Sequence, residues 1–511
     1  MLHWLDILVF VAFFGVVVSF ALLKSRKKET GEDYFLAGRG LRWYLIGFSI
    51  VAANLSTEQF VGMAGSAAGD TGLAVAGYQL LGVVTIVLVA MFFLPRFLRA
   101  GIYTMPEYLE YRYHPAARAI MAAYTAAIYV GVLVAAVLYS GALTLHTIFE
   151  IDMVQAVWLV GLIALVYTTW GGLSAVVWAD LFQGSALLLG GVLALVLGLV
   201  AVGGPATFLA ESTEKLHMIL PADHPRLPWT ALLLGLWIPN FYYCGLNQFI
   251  VQRTLAARSL REGQLGILFA ASLWLLVPFA VVMPGILAHQ LYPSEVAAAP
   301  DKAYPILIRN LIPAGSAGWG MKGFIFAALA GAVISTLASL LNSAATILTM
   351  DLYKRYLRPQ ASQRLIVGLG RALTVVFVLA GCTVAPHLGR FGVFQYIQEF
   401  QGYISPGVLA AFVFGFVVKR APPGAGIVAL LLNPPVYGWL HWQFGQVAFL
   451  NRMAITFAVI LAVMAALALT RPSAPKELPV RTTIDLRPSP LVVWLGGAII
   501  AAVGVFFAAF W

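Results

Sequence analysis

Apolar stretches long enough to cross a bilayer recur along this chain, and the one that starts at residue 43 is interrupted by polar residues before it reaches the far side. Within residues 51–66, VAANLSTEQFVGMAGS, the polar side chains Asn54, Ser56, Thr57, Glu58 and Gln59 crowd together, and Gly62, Gly65 and Ser66 follow. Hydrocarbon offers no partner to a polar side chain or a loosened backbone carbonyl, so such a run is tolerated only where it lines a cavity or faces another helix. The stretch reads as a broken helix at an ion and solute site. The plainer alternative is a packing seam of small residues with internally bonded hydroxyls.

The rest of the chain keeps this segment in a membrane. Of 511 residues, 61% are hydrophobic and 10% charged, which excludes a water-soluble reading and indicates a polytopic membrane protein. The formal net charge of +10 would suit nucleic acid, but its distribution argues otherwise. Of the 31 Lys and Arg residues, 24 fall in alternate connections and their flanks, at residues 24–42, 96–118, 253–261, 354–371, 419–420 and 471–487. That is the positive-inside bias of cytoplasmic loops, so the expected partner is the lipid bilayer of the cell's inner (plasma) membrane, with no nucleic acid. The first apolar run, residues 7–23, has its basic cluster (Lys24, Arg26, Lys27, Lys28) after it, the reverse of a cleavable signal peptide. It is expected to be a retained span with its N-terminus outside. Cys244 and Cys382 both fall inside spans and read as small packing residues, with no disulfide framework implied.

About fourteen apolar segments are long enough to cross, which puts both termini outside and makes the fold class an all-α polytopic membrane protein. Five segments beginning at 43 and five beginning at 229 open alike, each with an interrupted helix. The second opener, residues 236–252 (LWIPNFYYCGLNQFIVQ), carries Pro239, which removes a backbone donor, and Gly245, which loosens the helix. Because five is odd, the second set enters from the opposite side, giving an inverted repeat of five plus five transmembrane helices with a site at mid-membrane. The expected division is a peripheral helix and cytoplasmic loop (1–42), the first repeat (43–203), an external loop (204–228), the second repeat (229–418, with an external loop at 293–320) and peripheral C-terminal helices (419–511).

Few ionisable residues survive inside the spans. Asp180 sits about two turns from the cytoplasmic face, where it could attract a departing cation or pair with a loop Arg. Glu58 and Glu399 each stand beside a Gln that is the better site candidate, and both acids are assigned to polar packing. On the segment 321–353, Ala332, Ser335 and Thr336 stand at i, i+3 and i+4, so a carbonyl and two hydroxyls share a face. A hard cation such as sodium needs several oxygens, and carbonyls from the break near Ala52 and Leu55 would complete its shell. Taken alone, such hydroxyls equally bond back to the preceding turn and let helices approach.

The solute candidates obey the same spacing. Asn240, Tyr243 and Asn247 lie at i, i+3 and i+7, while Gln59 with Met63 and Phe394 with Gln398 stand four apart. Neutral amides beside aromatic rings suit a polyhydroxylated solute, because amides donate and accept while rings cover CH faces. The chain has no phosphate-binding G-x-x-x-x-G-K-[ST] loop, no H-E-x-x-H and no clustered His and Cys ligands. Nor does it show the nucleophile and base pair an enzyme needs. No cofactor is expected, and the energy for transport falls to an ion gradient. A transporter-like sensor remains an alternative, though a short tail after residue 490 offers little room for signalling.

With these residues in view, the chain resembles the sodium/solute symporter family, and within it the branch of bacterial sodium/galactose symporters and sodium/glucose cotransporters. The motifs run from GEDYFLAGRG (31–40) through AANLSTEQFVGMAGS (52–66), GIYTMPEYLEYRY (101–113), VYTTWGGLSAVVWAD (166–180), NQFIVQRTLAAR (247–258), DKAYP (301–305) and TLASLLNSAATILTMDLYK (336–354) to FQYIQEFQGYISPG (394–407). The resemblance implies sodium-coupled alternating access, with Na+ as coupling ion held by Ala52, Leu55, Ala332, Ser335 and Thr336, and Asp180 on the cation's exit route. It implies that Gln59, Asn240 and Gln398 hold sugar hydroxyls. Met63, Tyr78 and Phe394 would form an outer gate, and Tyr243, steadied by Asn54, an inner one. The substrate-binding position that is Glu in galactose-transporting members is Gln79 here, an Asn position is Leu133, and a Lys position is Trp274. The expected partner is therefore a small neutral solute, a monosaccharide or related polyol rather than galactose in particular. A nucleoside, myo-inositol or an amino acid are the alternatives.

Overall fold

In a bilayer every backbone donor and acceptor has to be met within the protein, and this chain meets them with helices. The computed structural model describes residues 3–24, 30–149, 151–312, 318–388, 393–481, 484–487 and 489–511. Among these, no β-strand forms, and the two isolated bridges join Leu41 to Ala257 and Ser259 to Asp485. The basic residues Arg26, Lys27 and Lys28, residues 313–317 of the expected external loop, and residues 391–392 at the start of an expected span lie outside the described residues.

Among the described residues nine helices are long and apolar enough to cross a membrane, or ten if Phe394–Gln401 and Ser405–Val417, bent by 47°, count as one span. This is fewer than the expected fourteen because interrupted segments divide their apolar length, as the short apolar helices Trp43–Asn54 and Met153–Leu165 illustrate. The connection expected between residues 169 and 174 shrinks to a kink inside Met153–Ala201 at Gly172, whose φ of 54° and ψ of −175° suit a residue without Cβ.

The two interrupted helices break as the polar residues suggest, with one refinement. The first helix, Trp43–Asn54, ends where Leu55 turns extended (φ −79°, ψ 98°); a π turn, Gln59–Met63, and the short helix Ala64–Ala68 follow. The second is Trp237–Gly245, then extended Asn247 (φ −82°, ψ 119°), then Gln248–Leu255. The break thus lies just past Gly245. Pro239 sits in the first turn of its helix, where a missing donor costs little.

Close packing centres on the first broken helix. A Cβ added at Gly47 would lie 2.5 Å from the Phe269 ring, and one at Gly266 would lie 2.9 Å from the Trp43 carbonyl, so Trp43–Asn54 and Leu260–Trp274 meet nearly backbone to backbone. On another side a Cβ at Gly184 would come within 3.2 Å of Ala52 Cβ. The long helix Met321–Ile347 packs beside both Trp43–Asn54 and Met153–Ala201. Its amino end is held by the N-terminal helix Trp4–Lys24, because Asp6 Oδ1 accepts the N–H groups of Gly320 at 2.9 Å and Gly323 at 3.1 Å. A carboxylate there meets donors that no preceding turn can satisfy.

Candidate functional site

At the first break the backbone changes partners. The Ser56 N–H turns to Gln59 Oε1 at 2.9 Å instead of closing a turn on Ala52. Thr336 fills the gap: its Oγ1 donates to the carbonyls of Ala52 at 3.4 Å and Ala53 at 3.3 Å. Leu55 is the extended residue of the break itself, and Ala332 lies one turn before Thr336; both are buried. The result is an all-oxygen neighbourhood at the carboxyl end of a half-helix, where the carbonyl dipoles favour a cation.

Ser335, expected beside Thr336 on the cation, donates instead to Asp180 Oδ1 at 2.5 Å. Asp180 is completely buried, also accepts from Ser49, and forms an ion pair with Arg253 at 3.5 Å. Arg253 comes from Gln248–Leu255, just past the second break, and reaches back across the bundle. Its Nε donates to Ser49 Oγ at 2.6 Å and to the Ser49 carbonyl at 3.1 Å, while its other nitrogens meet Ser339 and the Phe249 carbonyl. The sequence pattern counted Arg253 with the cytoplasmic cations. It is instead fully buried, and it is the partner that allows an acid to sit here at all. Arg112 and Arg118, from the same set of basic flanks, are buried too.

Beside this cluster lies a cavity of about 50 Å³ that gathers most of the expected solute residues: Gln59, Gln79, Asn240 and Gln398, with Tyr243 and Asn54 at the same wall. Leu133 also lines it. Many of the amides are half committed. Asn54 Oδ1 accepts from Gln79 Nε2 at 2.6 Å, Asn240 Nδ2 donates to the Tyr78 carbonyl at 3.3 Å, and Gln398 Oε1 accepts from Gln401 Nε2 at 3.2 Å. What remains is complementary: one amide donor of Gln59, whose other serves Glu58, the amide donors of Gln398, and the amide oxygens of Gln79 and Asn240.

The three residues expected to form one gate lie together. Met63, Tyr78 and Phe394 line the cavity, and the Tyr78 and Phe394 rings sit edge to face at 5.0 Å and 86°. Phe394 is seated against the broken helix, where a Cβ at Gly62 would lie 2.7 Å from Phe394 Cβ. The same Phe394 lines a vestibule of about 740 Å³ bordered by Asp70, Arg226 and Lys302, so one ring separates the two spaces. Tyr243 stands edge to face with Phe249 at 5.5 Å. The Asn54 side chain faces the Tyr243 hydroxyl, while its own oxygen accepts from Gln79.

Two expectations need correction and two residues were missed. Trp274 does not line the cavity. It is fully buried behind it, where a Cβ at Gly82 would lie 3.8 Å from both the Trp274 ring and Gln79 Oε1. Asn247, on the face of Asn240 and Tyr243 by spacing, instead accepts from the Tyr129 hydroxyl. Glu58, assigned to packing, lines the cavity although it is only 8% exposed. Gln401 lines it too, and its spacing of i+3 from Gln398 was a usable signal. Glu399 points elsewhere, accepting from Gln395 at 3.2 Å with Arg452 at 4.0 Å.

Comparison with known proteins identifies what kind of machine this geometry serves. The profile of the sodium:solute symporter family matches residues 34–431. The chain belongs to the sodium:solute symporter family. It is 41% identical over 495 residues to a sodium/glucose cotransporter of Vibrio parahaemolyticus, covering 91% of this chain and 90% of that protein. An uncharacterised symporter of Escherichia coli K12 is 36% identical over 527 residues, covering 99% of this chain and 90% of the other. The sodium/myo-inositol cotransporter 2 of Oryctolagus cuniculus is 34% identical over 473 residues, 84% of this chain and 68% of that one. Among solved structures, a sodium-coupled sialic acid symporter in a substrate-bound outward-open state superposes with a TM-score of 0.82 at 22% identity, covering 93% of this chain and 99% of that chain, so the fold is shared. This sodium:solute symporter is therefore an integral membrane transporter and not an enzyme, and the family's coupling ion is sodium.

Proposed function

We propose that this symporter imports a neutral sugar or related polyol by alternating access, with one sodium ion bound at the first break. The observation that carries the reading is the juxtaposition of freed carbonyls and Thr336 with an amide-lined cavity that Thr336 also borders. Sodium would take oxygens from Ala52, Leu55, Ala332, Ser335 and Thr336. Ser335 has to swing from Asp180 to do so, and Asp180 then stands on the ion's exit side. Gln59, Gln79, Asn240 and Gln398 would hold solute hydroxyls under a lid of Met63, Tyr78 and Phe394, and Tyr243 would open inward. The supporting frame is an inverted repeat of five plus five helices within about fourteen spans, in the inner membrane with both termini outside; the paired breaks support this arrangement.

The energetics are adequate with one ion. Each charge moved inward gains about 2.3 kcal/mol per 100 mV, and at about 1.4 kcal/mol per decade this sustains a roughly fifty-fold solute gradient. Myo-inositol is the second reading, favoured by the 34% identity to a myo-inositol cotransporter. The test is uptake of labelled monosaccharides and myo-inositol into proteoliposomes under an inward sodium gradient with protons clamped. Accumulation of one of them that collapses when sodium is replaced by potassium is expected, and sodium-independent or absent uptake of the whole panel would overturn the proposal.

A further inference from the structure

The solute cavity contains a charge that the amide scheme leaves unused. Glu58 lines it beside Gln59, is 8% exposed, and forms no ion pair among the described residues. No Lys, Arg or His lines the cavity. A carboxylate is an acceptor only, with room for several donors, and leaving it undersupplied in a dry site is costly. Gln59 gives it one donor, but the other surrounding amides offer it little, because Gln79 spends a donor on Asn54 and Asn240 spends one on the Tyr78 carbonyl.

Asp180 provides the contrast. It is equally buried, yet it is met by two hydroxyls and a guanidinium from the protein itself. Glu58 lacks an equivalent set, so the missing donors have to arrive with the cargo. An O–H pair on neighbouring carbons spans the two oxygens of a carboxylate, each hydroxyl donating to one oxygen while its own lone pairs face the amide donors of Gln59 and Gln398. The position is also suggestive in sequence: Glu58 follows the break at Leu55 by less than one turn, so a hydroxyl pair seated on it lies next to the peptide groups proposed to hold sodium.

Resting on the proposed neutral-polyol reading, we infer that Glu58 is the residue that selects the solute, anchoring two adjacent hydroxyl groups as paired donors to its carboxylate. The required substrate class is then a neutral vicinal diol, and solutes without a free hydroxyl pair in the right place bind weakly.

The experiment uses the full-length symporter in proteoliposomes, with the solute that the wild type transports best and its complete set of monodeoxy analogues, in wild type, Glu58→Gln and Glu58→Asp. Glu58→Gln is expected to raise the half-saturation concentration of the parent solute by about tenfold or more, as for loss of hydrogen bonds to a charged group. Two analogues lacking adjacent hydroxyls are expected to lose about as much in the wild type and to lose little further in Glu58→Gln, while Glu58→Asp keeps the analogue ranking of the wild type. A half-saturation unchanged by Glu58→Gln, or an analogue ranking identical in wild type and Glu58→Gln, overturns the inference while leaving sodium-driven transport standing. Failure of the wild type to move any neutral polyol overturns the parent reading and this inference together.

Discussion

The two helix breaks of this symporter differ in which backbone groups they leave over. At the first, near Leu55, a half-helix ends, and the carbonyls of Ala52 and Ala53 are met by the Thr336 hydroxyl at 3.4 and 3.3 Å. At the second, near Asn247, a half-helix begins, and Tyr129 closes it: the Tyr129 hydroxyl oxygen accepts the Phe249 N–H at 3.2 Å while its proton goes to the Asn247 side chain. One break is loosely satisfied and rich in oxygen. The other is capped from within. A cation is drawn to the first, where acceptors are in excess, and the second serves as a fixed anchor from which Arg253 spans back to Asp180 and Ser49.

The largest way to break this contrast is to cut that span. Arg253→Met leaves Asp180 buried without its cation, which is expected to cost about 3–5 kcal/mol of stability, whereas adding Asp180→Asn in the same protein should return most of the loss. Thermal unfolding of the purified variants in detergent checks this, and equal destabilisation by the single and double variants would count against the ion pair as the link. A smaller effect is expected at the loosely satisfied break. Ser335→Ala with Thr336→Ala removes both hydroxyls and should lower sodium-driven uptake by roughly a hundredfold, about 2.7 kcal/mol, beside a stability loss of about 1–3 kcal/mol from the donor withdrawn from Asp180. Uptake retaining its sodium dependence in that variant would move the cation elsewhere. The smallest change is expected at the capped break, where Tyr129→Phe strips the Phe249 N–H of its acceptor at about 1–3 kcal/mol. Faster hydrogen exchange at Phe249 and its neighbours, with uptake still sodium-dependent, would sharpen the distinction between anchor and ion site.

Much of this was legible in the residues before any coordinates. A polar run inside apolar sequence marks a break because hydrocarbon cannot satisfy it, and both breaks formed close to where Asn54 to Gln59 and Gly245 put them. Spacing along one helix also served well, bringing Gln398 and Phe394 to one cavity. What stayed hidden depends on contacts between helices. Arg253 sits in a stretch whose charge pattern reads as a cytoplasmic flank, and only the crossing of the second half-helix behind Ser49 shows that its side chain points inward. Trp274 was assigned to the solute by position, yet its side chain lies in the layer behind the cavity. Asn54 was paired with Tyr243 in expectation, and Gln79, on the next helix, also takes its oxygen. Glu58 immediately precedes the π turn Gln59–Met63 and lines the same cavity as Gln59, which its place beside a Gln in the sequence did not reveal.

The claim on which the rest depends is that ion occupancy at the first break and solute capture in the adjoining cavity are one linked event. The direct measurement is the solute dissociation constant of the purified symporter, followed by tryptophan fluorescence across a sodium titration at constant ionic strength, together with the sodium affinity measured with and without saturating solute. Linkage requires the two ligands to tighten each other by the same factor, and a factor of about 10 or more is expected. A solute affinity that stays constant from zero to saturating sodium would contradict the coupling.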